Sequence, residues 1–139
     1  MDDADVATLI AGRQGREPWA PGVAGPWLDA LAHRHCIAPD RGLWWDGAPA
    51  TQVHACYDDG MQGLARLEEL LAPAQGEIQL IVSEECAPPW PVWSLQASEL
   101  LPLLGELPFF EYAVALEGGA TLVFDTHHNT LLVSRARNR

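Results

Sequence analysis

Apolar positions recur along this chain in two rhythms, one of three to four residues and one of two, and the switches between them mark the elements. The plainest helical rhythm is DGMQGLARLEELLA at residues 59–72, where Met61, Leu64, Leu67 and Leu71 share a face and Arg66, Glu68 and Glu69 lie elsewhere. Asp58 or Asp59 suits its N-cap, since a short carboxylate can accept from the first free amides, and Pro73 follows its last turn. GEIQLIV at 76–82 alternates instead, with Ile78, Leu80 and Val82 set against Glu77, Gln79 and Ile81, which predicts a strand. Residues 109–133 hold three short apolar runs separated by Gly118-Gly119 and by His127-His128-Asn129, the lengths and turn chemistry of an antiparallel meander. With the two glycines central in a tight turn, Leu116 faces Thr121, Val114 faces Val123 and Tyr112 faces Asp125. Tyr112 and Asp125 then share one face, and Ala113, Phe124, Ala115 and Leu122 collect on the other.

Elsewhere the pattern is thinner. Residues 2–11 fit a short helix with Val6, Leu9 and Ile10 on one side, and the Pro/Gly-dense residues 13–26 read as a loop. Pro26 then opens a second helix that carries Trp27, Leu28, Leu31 and Ala32 on one face through about Cys36. Leu43-Trp44-Trp45 fits a short strand ended by Asp46-Gly47. ECAPPWPVW is too rich in proline for a central strand and reads as an edge that returns at Val92 to Leu95. Ser98 suits the N-cap of a short helix, SELLPLLGEL. Helices and strands are segregated, which predicts a single α+β domain: an antiparallel sheet with a C-terminal three-stranded meander and helices packed on one face. The other face is left for an interface or for the Trp-bearing loops.

Composition narrows the function. At 139 residues and 48% apolar, the chain matches one domain with a normal core. No apolar run approaches the roughly 20 residues of a membrane span, and the acidic start is unlike a basic export signal, so no membrane association and a cytoplasmic location are expected. The net charge is −11, lysine is absent, and residues 60–117 carry nine Glu against Arg66 alone. Such a field repels nucleic acid and attracts basic surfaces, which points to a basic protein as partner. Cys36, Cys56 and Cys86 form no Cys-x-x-Cys pair, so they are read as buried thiols.

Three constellations could carry chemistry. Asp125 and His127 lie two residues apart, and a carboxylate beside an imidazole can tune a general base. No Gly-x-Ser-x-Gly, phosphate loop or other nucleophile motif accompanies them, so no catalytic residue is assigned; Asp125 and Asn129 are expected to bond turn backbone, with the His pair at a hairpin tip. His33, His35, Cys36, His54 and Cys56 are zinc-type ligands at no known finger spacing, so neither metal nor other cofactor is expected. Of the six tryptophans, Trp27 and Trp44 read as core, while Trp90 and Trp93, flanked by Glu84, Glu85 and prolines, read as interface anchors.

Phe109-Phe110-Glu111-Tyr112, an apolar strand ending Val123-Phe124-Asp125, and His127-His128-Asn129 before a further strand together resemble a family of small bacterial proteins of unknown function. The resemblance covers roughly residues 76–134, with Ala113 and Ala115 standing where bulkier strand residues are usual. It implies a small cytoplasmic immunity or antitoxin partner of a toxin, and it marks Glu111, Tyr112, Asp125, His127 and His128 as motif positions without a catalytic role. The resulting expectation is a non-enzymatic protein, monomer or homodimer, that occludes a basic toxin. Its partner surface would comprise Asp58, Asp59, Glu68, Glu69, Glu84, Glu85, Trp90 and Trp93. The alternatives are a small hydrolase or metal-dependent enzyme using Glu111, Asp125, His127 and His128, and a homodimeric regulator paired through its C-terminal sheet.

Overall fold

A computed structural model describes residues 3–37, 51–73, 76–83, 90–107, 110–126 and 129–136. Among these residues, four α-helices pack on one six-stranded, fully antiparallel sheet of order β1-β6-β5-β4-β2-β3. The helices are α1 (Asp3–Gln14), α2 (Pro21–Arg34), α3 (Gly60–Leu71) and α4 (Ala97–Gly105), and the strands are β1 (Thr51–Cys56), β2 (Glu77–Val82), β3 (Val92–Gln96), β4 (Tyr112–Leu116), β5 (Thr121–Asp125) and β6 (Thr130–Arg135). The α+β class and the meander β4-β5-β6 follow the pattern of the sequence.

The Gly118-Gly119 turn sets the register of the centre. Glu117 and both glycines take positive φ, 56°, 68° and 96°, and Ala120 N donates to Glu117 O at 3.3 Å, so a four-residue loop from Glu117 to Ala120 reverses the chain where the sequence predicts a two-residue turn, with the same register. Tyr112 therefore pairs with Asp125, Val114 with Val123 and Leu116 with Thr121, as the turn chemistry predicts. Because side chains alternate, the sheet sends two apolar sets to opposite sides. On one side Ile78, Leu80, Val82, Trp93, Val114 and Val123 meet α1, α3 and α4 through Ile10, Leu67 and Leu100. On the other, Ile81, Val92, Ala113, Ala115, Leu122 and Phe124 meet α2 through Ala24, Leu28, Leu31 and Ala32. Helices thus cover both faces rather than one. The small Ala113 and Ala115 face the side where α2 also presents Ala24 and Ala32.

Four local expectations change. The proline-rich residues 13–26 are not all loop: α2 starts at Pro21, whose missing donor costs nothing at N1, and Pro26 lies inside the helix. The cap of α4 is Gln96, not Ser98, with Glu99 reaching back to accept from Gln96 N at 2.8 Å. β1 was not predicted; it is an edge strand whose Gln52, Val53, His54 and Cys56 are exposed, so its pairing with β6 rests on backbone bonds rather than on a buried face. Cys36 and Cys56 are exposed rather than buried, Cys36 because it takes the left-handed position (φ 59°) that ends α2. The strand expected at 43–45, with Trp44, and Cys86 lie outside the described residues.

Candidate functional site

Three element ends converge under one pocket. Tyr57 follows β1, its amide donating to Asn129 O at 3.0 Å, while Tyr112 opens β4 and Asp125 closes β5 directly opposite it. The Tyr57 hydroxyl donates to Asp125 Oδ1 at 2.5 Å. Its ring lies where a Cβ on Gly63 of α3 would approach Cε2 to 2.9 Å, so glycine at that helical position makes the close approach possible. Asp59 caps α3 by accepting from Gln62 N at 2.9 Å, and this fixes the helix start beside Tyr57.

Asp125 is only 6% exposed. Burial pushes its proton affinity above the ordinary carboxylate value; hydroxyl bonds from Tyr57 and Tyr112 oppose that rise, and the nearby charge of Glu111 adds to it. Burial likewise pushes both phenols up, and the Asp125 carboxylate pushes them further, so both stay protonated donors. Above them opens a pocket of about 450 Å³, walled by Met61, Leu64, Leu104, Leu107 and Phe110, with Asp59 at its edge and Asp125 at its floor. Met61 is 84% exposed at the mouth. Among the described residues no cationic side chain lines this space. The arrangement can hold a proton or accept a positively charged group in apolar surroundings; its described lining contains neither a nucleophilic hydroxyl on serine or threonine nor a thiol.

Several expected site residues are placed differently. Trp90 and Trp93 are each 1% exposed, packed on opposite faces of the sheet, and so cannot be surface anchors. Pro91 directly precedes the edge strand β3, but the two rings turn inward and each fills one core layer. Asp58, Asp59, Glu68 and Glu69 are exposed on or beside α3, with Glu69 bonded to Arg66 at 2.6 Å and to His54 at 3.1 Å. Among the described residues Asp125 bonds Tyr57 in the core rather than the turn backbone expected of it, and Thr126 N donates to Thr130 O and Asn129 N to Thr126 O across the turn. Glu111 is buried beside this cluster. Glu84, Glu85, His127 and His128 lie outside the described residues.

The histidines named as zinc-type ligands are dispersed. His35, 2% exposed at the end of α2, contacts Ser134 Oγ through Nδ1 and Gly119 O through Nε2, both at 2.8 Å. The carbonyl can only accept, so Nε2 carries the proton and Nδ1 accepts from the serine hydroxyl. No three His, Cys, Asp or Glu side chains gather to hold a metal among the described residues. Likewise, no helix among those residues is long and apolar enough to cross a membrane.

Tyr57 and Gly63 were missed by sequence reading. The alternation Val53, Ala55, Tyr57 ahead of Asp58-Asp59 was the available signal, and it said nothing about which carboxylate the phenol would meet. No protein-family model, curated protein or solved structure matches this chain.

Proposed function

We propose that this protein is a non-enzymatic, immunity-type binder that acts in the cytoplasm and neutralises a basic partner, a toxin, by covering its active surface. The observation that carries this reading is the open apolar pocket at the start of α3, lined by the exposed Asp59 and by no described cation, with Asp58 exposed just before the helix and Glu68 exposed farther along it. Asp58, Asp59 and Glu68 form no ion pair among the described residues, whereas Arg13 and Arg66 are spent on Glu106 and Glu69. Arg16 and Arg34 donate to the carbonyls of Ser94 and Gly118. The charge of these three side chains is therefore available to an incoming basic surface, speeding encounter by steering. Met61, not Trp90 or Trp93, supplies the exposed apolar contact beside the pocket.

The test is native mass spectrometry on tagged protein recovered gently from its host, followed by affinity measurements across salt concentration. A stoichiometric complex with a basic protein supports the reading. Asp58→Lys combined with Glu68→Lys, which leaves the Asp59 cap intact, should weaken the complex and flatten its salt dependence. An affinity and salt slope unchanged by that double reversal would refute the electrostatic mechanism.

A further inference from the structure

Resting on the binding role proposed above, we infer that the pocket over Tyr57, Tyr112 and Asp125 receives one arginine side chain of the partner. Its guanidinium would meet the Asp125 carboxylate and its aliphatic stem would lie against Leu64, Leu104, Leu107 and Phe110. The shape of the chemistry carries this. A neutral apolar guest would leave the buried carboxylate facing hydrocarbon, and an anion would be repelled by Asp125, Glu111 and Asp59 together. The start of α3 would by itself favour an anion, but the Asp59 carboxylate already accepts from its Gln62 amide and places a negative charge there. A long side chain with an apolar stem and a cationic head satisfies walls and floor at once.

Two features favour arginine over lysine. Tyr57, Tyr112 and Phe110 line the same pocket as the carboxylate, with Phe110 and Tyr112 centroids 5.3 Å apart at 49°, and guanidinium stacks on aromatic faces. Guanidinium is also more weakly hydrated than ammonium, so meeting a buried carboxylate between apolar walls costs it less. The two phenols occupy part of the lone-pair capacity of Asp125 and leave acceptor capacity for the guest. The volume, about 450 Å³, lies within the roughly 300–1,000 Å³ of ligand pockets.

The experiment titrates the full chain with n-butylguanidinium, n-butylammonium and n-butanol, following the Tyr57 and Tyr112 ring resonances and the Asp125 carboxyl carbon by NMR. The expected result is saturable guanidinium binding that moves all three signals, weaker ammonium binding and no competing alcohol binding. Asp125→Asn should weaken guanidinium binding by about tenfold or more. Met61→Arg, at an exposed rim position that cannot disturb the core, should also weaken it while the melting temperature stays unchanged. Binding should fade as pH falls and Asp125 is protonated, with Glu111, Asp59, Tyr57 and Tyr112 as its charged and titratable neighbours. Alcohol binding as strong as guanidinium, stronger ammonium binding, or no guanidinium binding by the folded wild type would each overturn the assignment. The two proposals fail separately. Guanidinium binding without any basic protein partner would refute the immunity reading alone, and a basic partner bound equally by wild type, Asp125→Asn and Met61→Arg would refute the pocket alone.

Discussion

Replacing Tyr57 by phenylalanine removes one hydroxyl from the buried cluster and leaves the ring that packs on Gly63. The lost bond is a donor to a buried acid at 2.5 Å, and bonds to charged acceptors contribute roughly 1.5–3 kcal/mol. At about 2.1 cal/mol/K of unfolding entropy per residue, a 139-residue chain shifts its melting temperature by about 3.4 °C per kcal/mol, so Tyr57→Phe should lower it by about 5–10 °C. The loss should depend on pH with a definite sign. The Tyr57 bond favours the ionised form of Asp125, so the cost is greatest above the folded pKa of Asp125, which burial raises above 3.8. As pH falls through that folded pKa, the acceptor becomes neutral and the cost should shrink to the roughly 0.5–1.5 kcal/mol of a neutral bond. The assay is thermal unfolding of both proteins at matched pH values from about 4 to 9, read by near-ultraviolet circular dichroism and far from any ligand. A pH-independent difference, or one under about 1 °C throughout, would refute the view that this hydroxyl supports a buried carboxylate.

Other perturbations have equally defined outcomes. Gly63→Ala gains roughly 1 kcal/mol of helix propensity but drives a methyl to 2.9 Å from a Tyr57 ring whose hydroxyl is held on Asp125; overpacking at about 1–3 kcal/mol should win, lowering the urea midpoint, and a raised midpoint would show that the ring moves freely. Asp59→Ala should cost about 0.5–2 kcal/mol by urea unfolding through loss of the α3 cap, while Asp58→Ala, exposed beside it, should stay within about 0.5 kcal/mol. His35 is held below its ordinary 6.5, chiefly by burial and against the pull of the Gly119 carbonyl, with Arg34 adding to the lowering. The unfolded chain therefore binds the extra proton first, and the stability His35 contributes is fully present above 6.5 and is lost as pH falls through its folded value. His35→Ala should flatten that slope and, by stranding the Ser134 hydroxyl and Gly119 carbonyl, cost about 1–3 kcal/mol at neutral pH, measured as urea midpoints across pH.

What the sequence determined by itself is local and periodic. The apolar spacing of α3 with its Asp59 cap, the alternation of β2, and the double glycine that forces the β4-β5 register all act within a few residues, so the chain alone specifies them. That register already placed Tyr112 and Asp125 on one face, half of the candidate site. Tertiary structure decided the rest. The pairing of β1 with β6 joins backbone groups across about 75–83 residues and leaves Val53 exposed, so the alternation Val53, Ala55, Tyr57 marks no buried stripe and does not show where Tyr57 goes. Trp90 and Trp93 look like surface residues among their prolines, yet both are buried because helices close both faces of the sheet and each layer needs a large ring. Asp125 carries the same letter in a turn as in a core. Only the arrival of Tyr57, positioned by a glycine in a separate helix, makes it a buried acid at the floor of a pocket, because burial and hydrogen bonding depend on which distant segments meet.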